Sequence, residues 1–257
     1  MSKKTAKMAI DRLQGEYIKF AKNSDIRANE NEVYYHNLLF AKVYEGYTTN
    51  RLFVSLQNFR TEPKLRQAKK DLVKAAINAG YEIIFVPEID MGFGVSNAHD
   101  CSRGTLEVFL IEIAKYCDEN IKNAALVYME NEDETRKILG AAINQKDPYE
   151  YDDTIIHAEE VLCNYVIDLE LYGHEKLRYY SLIEPCERCL KQMLNNQACG
   201  IYYFVKHDTI LDTPEYYQLC NDIWNKSILQ SYHETPIRYD RVYGIKADKF
   251  MNKEKSK

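Results

Sequence analysis

Apolar residues recur every three or four positions at Ile10, Leu13, Tyr17 and Phe20, the period of one helical face. Leu38, Leu39, Val43 and Tyr47 read as a second helix, so residues 1 to about 47 are expected to be helical, broken by the polar run 23–32. The period then changes. Arg51 to Leu56 is apolar and β-favouring, and Thr61-Glu62-Pro63 opens a helix whose face carries Leu65, Leu72, Ala76 and Ile77. Gly80 fits its stop, and Tyr81 to Val86 reads as a second strand. Strand, helix, strand predicts a parallel pair.

Met91 to Gly104 reads as a loop and a domain boundary, and its glycines match neither G-x-G-x-x-G nor a P-loop. A helix from Thr105 to about Glu119 follows, with Leu106, Phe109, Leu110, Ile113 and Ala114 on one side. Ala124–Met129 and Lys137–Ile143 read as a hairpin about the polar turn 131–134. Beyond the polar loop 144–153, a helix is expected from His157 to about Leu171. A strand follows at 177–183, a helix from Cys186 to near Gly200, and a strand at 201–205. Pro214 to about Leu229 reads as helical, Ile237 to Ile245 as a strand, and 246–257 as a frayed Lys-rich tail. Residues 105–210 therefore form a three-layer α/β/α plan.

Composition narrows the class. The chain has 257 residues, 46% hydrophobic and 28% charged, which is ordinary for a globular protein. No apolar run approaches the roughly 18 residues of a membrane span, and the first residues carry no apolar leader. A cytoplasmic protein without a membrane partner is the expectation. Seven cysteines, an odd number, argue against a complete disulfide framework. A net charge of −5 and a pI of about 5.8 lack the basic footprint of a polynucleotide binder. The 21 tyrosines can stack on bases, but more often pack half-buried.

One pattern carries chemistry. His157-Ala158-Glu159 is H-x-E, and Pro185-Cys186-Glu187-Arg188-Cys189 is P-C-x-x-C, with residues 160–184 between them. This is the ligand and acid/base layout of zinc nucleobase deaminases. His157, Cys186 and Cys189 would hold zinc and leave its fourth position to a water, whose pKa zinc lowers to about 7. Both cysteines fall at a helix N-terminus, where the dipole favours thiolate. Glu159, two residues past His157, would take a proton from that water and pass it to the ring nitrogen and the departing amine.

Blander readings exist. C-x-x-C alone can be a redox pair, although a thioredoxin-like layout is missing. A purely structural zinc would need a fourth ligand, for which Cys163 and Cys199 are the nearest in sequence. His36, His99, His174, His207 and His233 read as ordinary surface or core histidines.

Residues about 105–210 resemble the cytidine deaminase superfamily, most closely its bacterial tRNA adenosine deaminase and deoxycytidylate deaminase branch. Ile138-Leu139-Gly140-Ala141-Ala142-Ile143-Asn144 is similar to that branch's second strand and terminal asparagine, and Ile183-Glu184-Pro185-Cys186 to its glutamate-proline-cysteine turn. The resemblance implies that Asn144 contacts the substrate nucleoside, and that backbone groups near Ala158 and Glu184 meet the base edge. It also implies a homo-oligomer. The loop after Asn144 departs from the branch in carrying Asp147, Glu150, Asp152 and Asp153, and the chain after Asp208 lacks a match to a tRNA-binding helix. A free nucleoside or nucleotide is thus the expected substrate, with tRNA or single-stranded nucleic acid as the alternative. A non-catalytic scaffold with structural zinc is the non-enzyme alternative, opposed by the presence of Glu159.

The expected architecture is a three-layer α/β/α cytidine-deaminase-like fold with a mixed central sheet, extended by an N-terminal α/β region. Its expected parts are an N-terminal region, 1–100, a zinc deaminase domain, 101–245, and the tail, 246–257. Glu62-Pro63 to Asp90 echoes Glu184-Pro185 to Asp208 without the cysteines. This raises the hypothesis of a degenerate, metal-free deaminase-like N-terminal half, which an unrelated strand order would oppose.

Overall fold

The computed structural model describes residues 3–21, 24–36, 38–45, 50–55, 63–87, 89, 103–119, 123–130, 136–147, 154–171, 176–205 and 240–241. In chain order the elements are α1 (Lys3–Leu13), β1 (Ile26–Ala28), β2 (Glu32–Tyr35), β3 (Leu38–Glu45), β4 (Asn50–Ser55), α2 (Pro63–Asn78), β5 (Glu82–Val86) and α3 (Arg103–Ala114). The hairpin β6 (Ala124–Glu130) and β7 (Arg136–Ile143) follows, with two short strands, β8 (Gln145–Lys146) and β9 (Ile155–Ile156). Then come α4 (Ala158–Asp168), β10 (Leu177–Ile183), α5 (Glu187–Asn195), β11 (Gly200–Val205) and β12 (Asp240–Arg241).

Among the described residues, ten strands form one mixed sheet in the order β1-β2-β3-β4-β5-β7-β6-β10-β11-β12. β4 runs parallel to β5 and β10 parallel to β11, each pair joined by a helix, as the strand–helix–strand pattern requires. The seam between the two halves is thin. Only Phe85↔Ala141 is in register between β5 and β7. Close by, the β5 backbone N–H of Ile83 donates to buried Gln145 Oε1 at 3.2 Å instead of to a strand.

Strand alternation divides the apolar side chains between two cores. Leu52, Val54, Ile83, Phe85, Ala124 and Leu126 pack with residues of α1, α2 and α3. Their neighbours Phe53, Ile84, Val86, Ala125 and Val127 pack with α4 and α5 on the opposite face. This is the expected three-layer α/β/α arrangement with a mixed central sheet. No helix among the described residues is long and apolar enough to cross a membrane.

The first 45 residues correct the sequence reading in two places. α1 ends at Leu13 and does not continue to Phe20, because Gly15 takes a left-handed φ of 91°. Gly15 N–H then bonds to Arg12 O and Glu16 N–H to Asp11 O, the paired bonds of a glycine helix stop. Tyr17 is consequently 87% exposed. Leu38 to Glu45 is a strand, not a helix, paired to β2 on one side and β4 on the other. Val33, Tyr34, Tyr35, Phe40, Val43 and Tyr44 favour a pleated surface, and those partners satisfy the backbone. The expected helix 214–229 and the tail 246–257 lie outside the described residues.

A buried ion cluster ties the halves together behind the sheet. Arg51 of β4 is wholly enclosed; its Nε donates to Glu82 Oε2 of β5 at 3.0 Å and its Nη1 to Asp168 Oδ2, at the C-terminal end of α4. The guanidinium also lies 5.8 Å from the ring centre of Tyr165 on α4. Tyr165 reaches the sheet only because β7 has Gly140 there. A Cβ at that position would lie 2.9 Å from both Ile84 Cγ2 and the Tyr165 ring.

Candidate metal centre and its buried glutamate

The motif residues meet because two helices start side by side. α4 begins after β9 with His157 as its N-cap, at φ −76° and ψ 150°. α5 begins after β10 and Pro185 with Cys186 as its N-cap, at φ −64° and ψ 167°. Neither cap residue hydrogen-bonds its own helix through its side chain. Both side chains are therefore available to a ligand.

His157 Nδ1 lies 3.5 Å from Cys186 Sγ and 3.4 Å from Cys189 Sγ, and the three atoms lie within 4.8 Å of one another. Tetrahedral zinc with ordinary Zn–S and Zn–N lengths separates such a nitrogen and sulfur by about 3.6 Å. The donor set fits zinc. Cys163 and Cys199, the nearest alternative ligands in sequence, do not belong to the cluster. Buried Cys163 instead has its thiol pushed up to about 12 by desolvation.

The two sulfurs act on each other's ionisation in opposite directions. A hydrogen bond from Cys189 is the chief cause that pulls the Cys186 thiol down to about 3, while the same contact drives Cys189 far upward. A cation between them would displace the thiol protons and hold both as thiolates. The contact with Cys186 raises the His157 imidazolium pKa, and the nearby charge of Glu159 adds to it.

Glu159 is 1% exposed. Its Oε1 accepts from Asn123 Nδ2 at 2.8 Å and Ser181 Oγ at 2.5 Å. Its Oε2 is buried and has no hydrogen-bond partner among the described residues. An enclosed carboxylate oxygen without a donor is costly and uncommon in a structure at rest.

The other expected residues are also nearby, though not all in the expected relation. Asn144 follows β7, and its Oδ1 accepts the backbone N–H of Ala158 at 3.0 Å. One of the donors left unpaired at the start of α4 is thus satisfied by the protein itself. Glu184 is 7% exposed and lies in the β10–α5 turn. The acidic loop is entered and left through the small β8–β9 pair. Of its four acids, only Asp147 is described, and its N–H bonds to Thr154 O at 2.8 Å. Glu160 accepts from Arg188 at 2.8 Å, tying α4 to α5 on the outer surface.

Asn123 and Ser181 were missed by sequence reasoning. An asparagine before a strand reads as a turn residue, and a serine inside one reads as neutral. Only the pairing of β6 with β10 brings them to the same carboxylate.

No family model matches this sequence, and no curated protein matches it. Among solved structures, guanine deaminase from Bacillus subtilis aligns with 61% of this chain and 96% of its own, at 15% identity and a TM-score of 0.34. At that identity and score the likeness assigns neither a substrate nor a residue role.

Proposed function

We propose that this chain is a zinc-dependent hydrolytic deaminase. It removes the exocyclic amino group of a cytosine or adenine moiety in a free nucleoside or nucleotide. The observation that carries the reading is buried Glu159, with one uncommitted oxygen, beside three donors that fit zinc. Zinc held by His157, Cys186 and Cys189 would supply Lewis acidity and a water activated near neutral pH. Glu159 Oε2 takes one proton from the attacking water and gives it to the ring nitrogen, then carries that water's second proton to the amine, which leaves as ammonia when its bond to the ring breaks. Asn144 holds Ala158 at the start of α4 and touches the nucleoside, while backbone groups at Ala158 and Glu184 align the base. The net charge of −5 favours a small substrate over a polynucleotide. The active species is a homo-oligomer.

The test combines metal analysis with ammonia release from cytidine, deoxycytidine, adenosine and their monophosphates, and from tRNA and single-stranded DNA. The expected result is one zinc per chain and ammonia from a free nucleoside or nucleotide. Release only from the polymers would overturn the substrate part. Glu159→Ala is expected to keep its zinc and lose activity; full activity in that variant would overturn the whole reading.

A further inference from the structure

The two oxygens of Glu159 are treated differently, and the difference has a traceable cause. Asn123 Oδ1 accepts the backbone N–H of Ile183 at 3.2 Å. An N–H must face the oxygen of a carboxamide, so this bond decides which way the Asn123 amide points. Its Nδ2 is then turned onto Glu159 Oε1. The flipped amide would oppose two donors at Ile183 and two acceptors at Glu159. Asn123 is held again through its backbone oxygen, which accepts Asn144 N–H at 3.2 Å.

Ser181 adds the second donor. Its Oγ lies 3.4 Å from Asn123 Oδ1 and 2.5 Å from Glu159 Oε1, and one hydroxyl proton serves one of them. The nearer, charged acceptor takes it. Oε1 thus receives two donors, one from β10 and one from the residue that leads into its neighbour β6, and Oε2 receives none among the described residues.

We propose that Asn123 and Ser181 are positioning residues that commit Glu159 Oε1, so that Oε2 alone carries the proton during the reaction. The terminal torsion of a glutamate is broad and roughly two-fold. Left to itself, the carboxylate would present either oxygen at many angles. Two donors on one oxygen remove that freedom, and a proton carrier displaced by about 1 Å can lose on the order of 10²-fold in rate. This inference rests on the proposed deaminase reading and names how that reading's proton carrier is aimed.

The experiment uses Ser181→Ala, Asn123→Ala, Asn123→Asp and the double alanine variant of the full chain, each also in a Glu159→Gln background. Zinc content, a crystal structure, and kcat and KM on whichever substrate releases ammonia are measured. Every variant is expected to keep its zinc and its KM. Ser181→Ala lowers kcat about tenfold and the double variant about 100-fold, with the Glu159 carboxylate rotated in the crystal. Asn123→Asp keeps an acceptor for Ile183 but sets an oxygen against Glu159, and lowers kcat at least as far as alanine does. A residue that merely braced Ile183 would tolerate that change. In the Glu159→Gln background the added substitutions leave the residual rate unchanged.

An unmoved carboxylate in the double variant, or an unchanged kcat per zinc-loaded site, overturns the inference. If the double variant does not fold, Ser181→Ala, which removes a single oxygen, decides by the same readouts. Insensitivity of the rate to Glu159→Ala would instead sink the deaminase reading, which keeps the two failures apart.

Discussion

Two strand–helix–strand units share this sheet, β4–α2–β5 and β10–α5–β11. Both have a parallel strand pair and a proline at or just before the helix start. Counting from those prolines, Lys64 and Gln67 occupy the places of Cys186 and Cys189. The larger difference lies upstream. In the C-terminal half the chain leaves β7, crosses through α4 and returns at β10 beside β6, giving the order β7-β6-β10-β11. In the N-terminal half β3 passes directly to its antiparallel neighbour β4, in the sequential order β2-β3-β4-β5. What the halves share is the one unit; among the described residues the first has no helix in the place of α4. A metal site at the start of one helix needs a second helix to face it. The crossover that inserts α4 provides both the histidine and the buried glutamate.

The largest effects follow from that contrast. Cys189→Ser and His157→Ala are expected to lose zinc and all measurable ammonia release, read by metal analysis and a coupled assay. Gln67→Ala, on an exposed side chain bonded to Asp71 at 3.0 Å, should change stability by less than about 0.5 kcal/mol and leave zinc untouched. Placing cysteines at Lys64 and Gln67 together should create no second zinc site, because among the described residues no histidine-bearing helix faces them. A second equivalent of bound zinc in that variant would show the halves to be closer than their strand order implies.

Much of this contrast was legible in the sequence, and what was not has a physical reason. The strands at 82–86, 124–130, 136–143 and 177–183 were expected within a residue or two, because apolar runs bounded by turns are local signals. The grouping of His157, Cys186 and Cys189 was legible because metal chemistry demands particular side chains at fixed spacing. β3 was misread as helix because Leu38, Leu39 and Val43 fit both periods and only β2 and β4 decide between them. The donors to Glu159 were invisible for a related reason: Asn123 and Ser181 lie 58 residues apart, and nothing local links them.

Next in size is the cluster that joins the halves. Arg51→Met leaves Glu82 and Asp168 enclosed without their cation, which is expected to cost about 3–5 kcal/mol in urea unfolding. Because Asp168 ends α4, the same variant should also bind zinc more weakly. Loss of stability without any change in zinc affinity would mean that α4 is held from its N-terminal end alone.

Lys69 offers a smaller effect with a defined sign. The side chain is buried in α2, donates to Ser55 O at the end of β4, and has its amine pulled down to about 8 by burial. Its ordinary value is about 10.4. Between those values the unfolded chain holds more protons than the folded one, so the contribution of Lys69 to stability rises with pH across that window. Below about pH 8 the burial penalty is fully present. Lys69→Met should therefore remove an upward component, and wild type should gain relative to the variant between pH 8 and 9.5 in chemical denaturation. A constant difference between the two proteins across that range would show that the amine is not desolvated as its enclosure implies.

The smallest expected effect separates a surface link from a functional one at the same helix. Arg66 and Arg188 each lie three residues after the proline of their units. Arg188 binds Glu160 at 2.8 Å, bridging α5 to α4 beside the His157–Cys186–Cys189 cluster, yet its side chain is 56% exposed. Solvent and salt screen such a pair, so Arg188→Ala should cost no more than about 1 kcal/mol, and less at high ionic strength. If the bridge only pins two solvated surfaces, zinc content and kcat stay at their wild-type values. A large fall in zinc affinity would instead mean that the spacing of the two helix starts, and with it the distance from His157 to the cysteines, depends on this outer contact. The N-capping backbone of His157 and Cys186 and the buried side chains Val161, Leu162, Leu190 and Met193 argue against that outcome, since they fix both helices on the sheet without it.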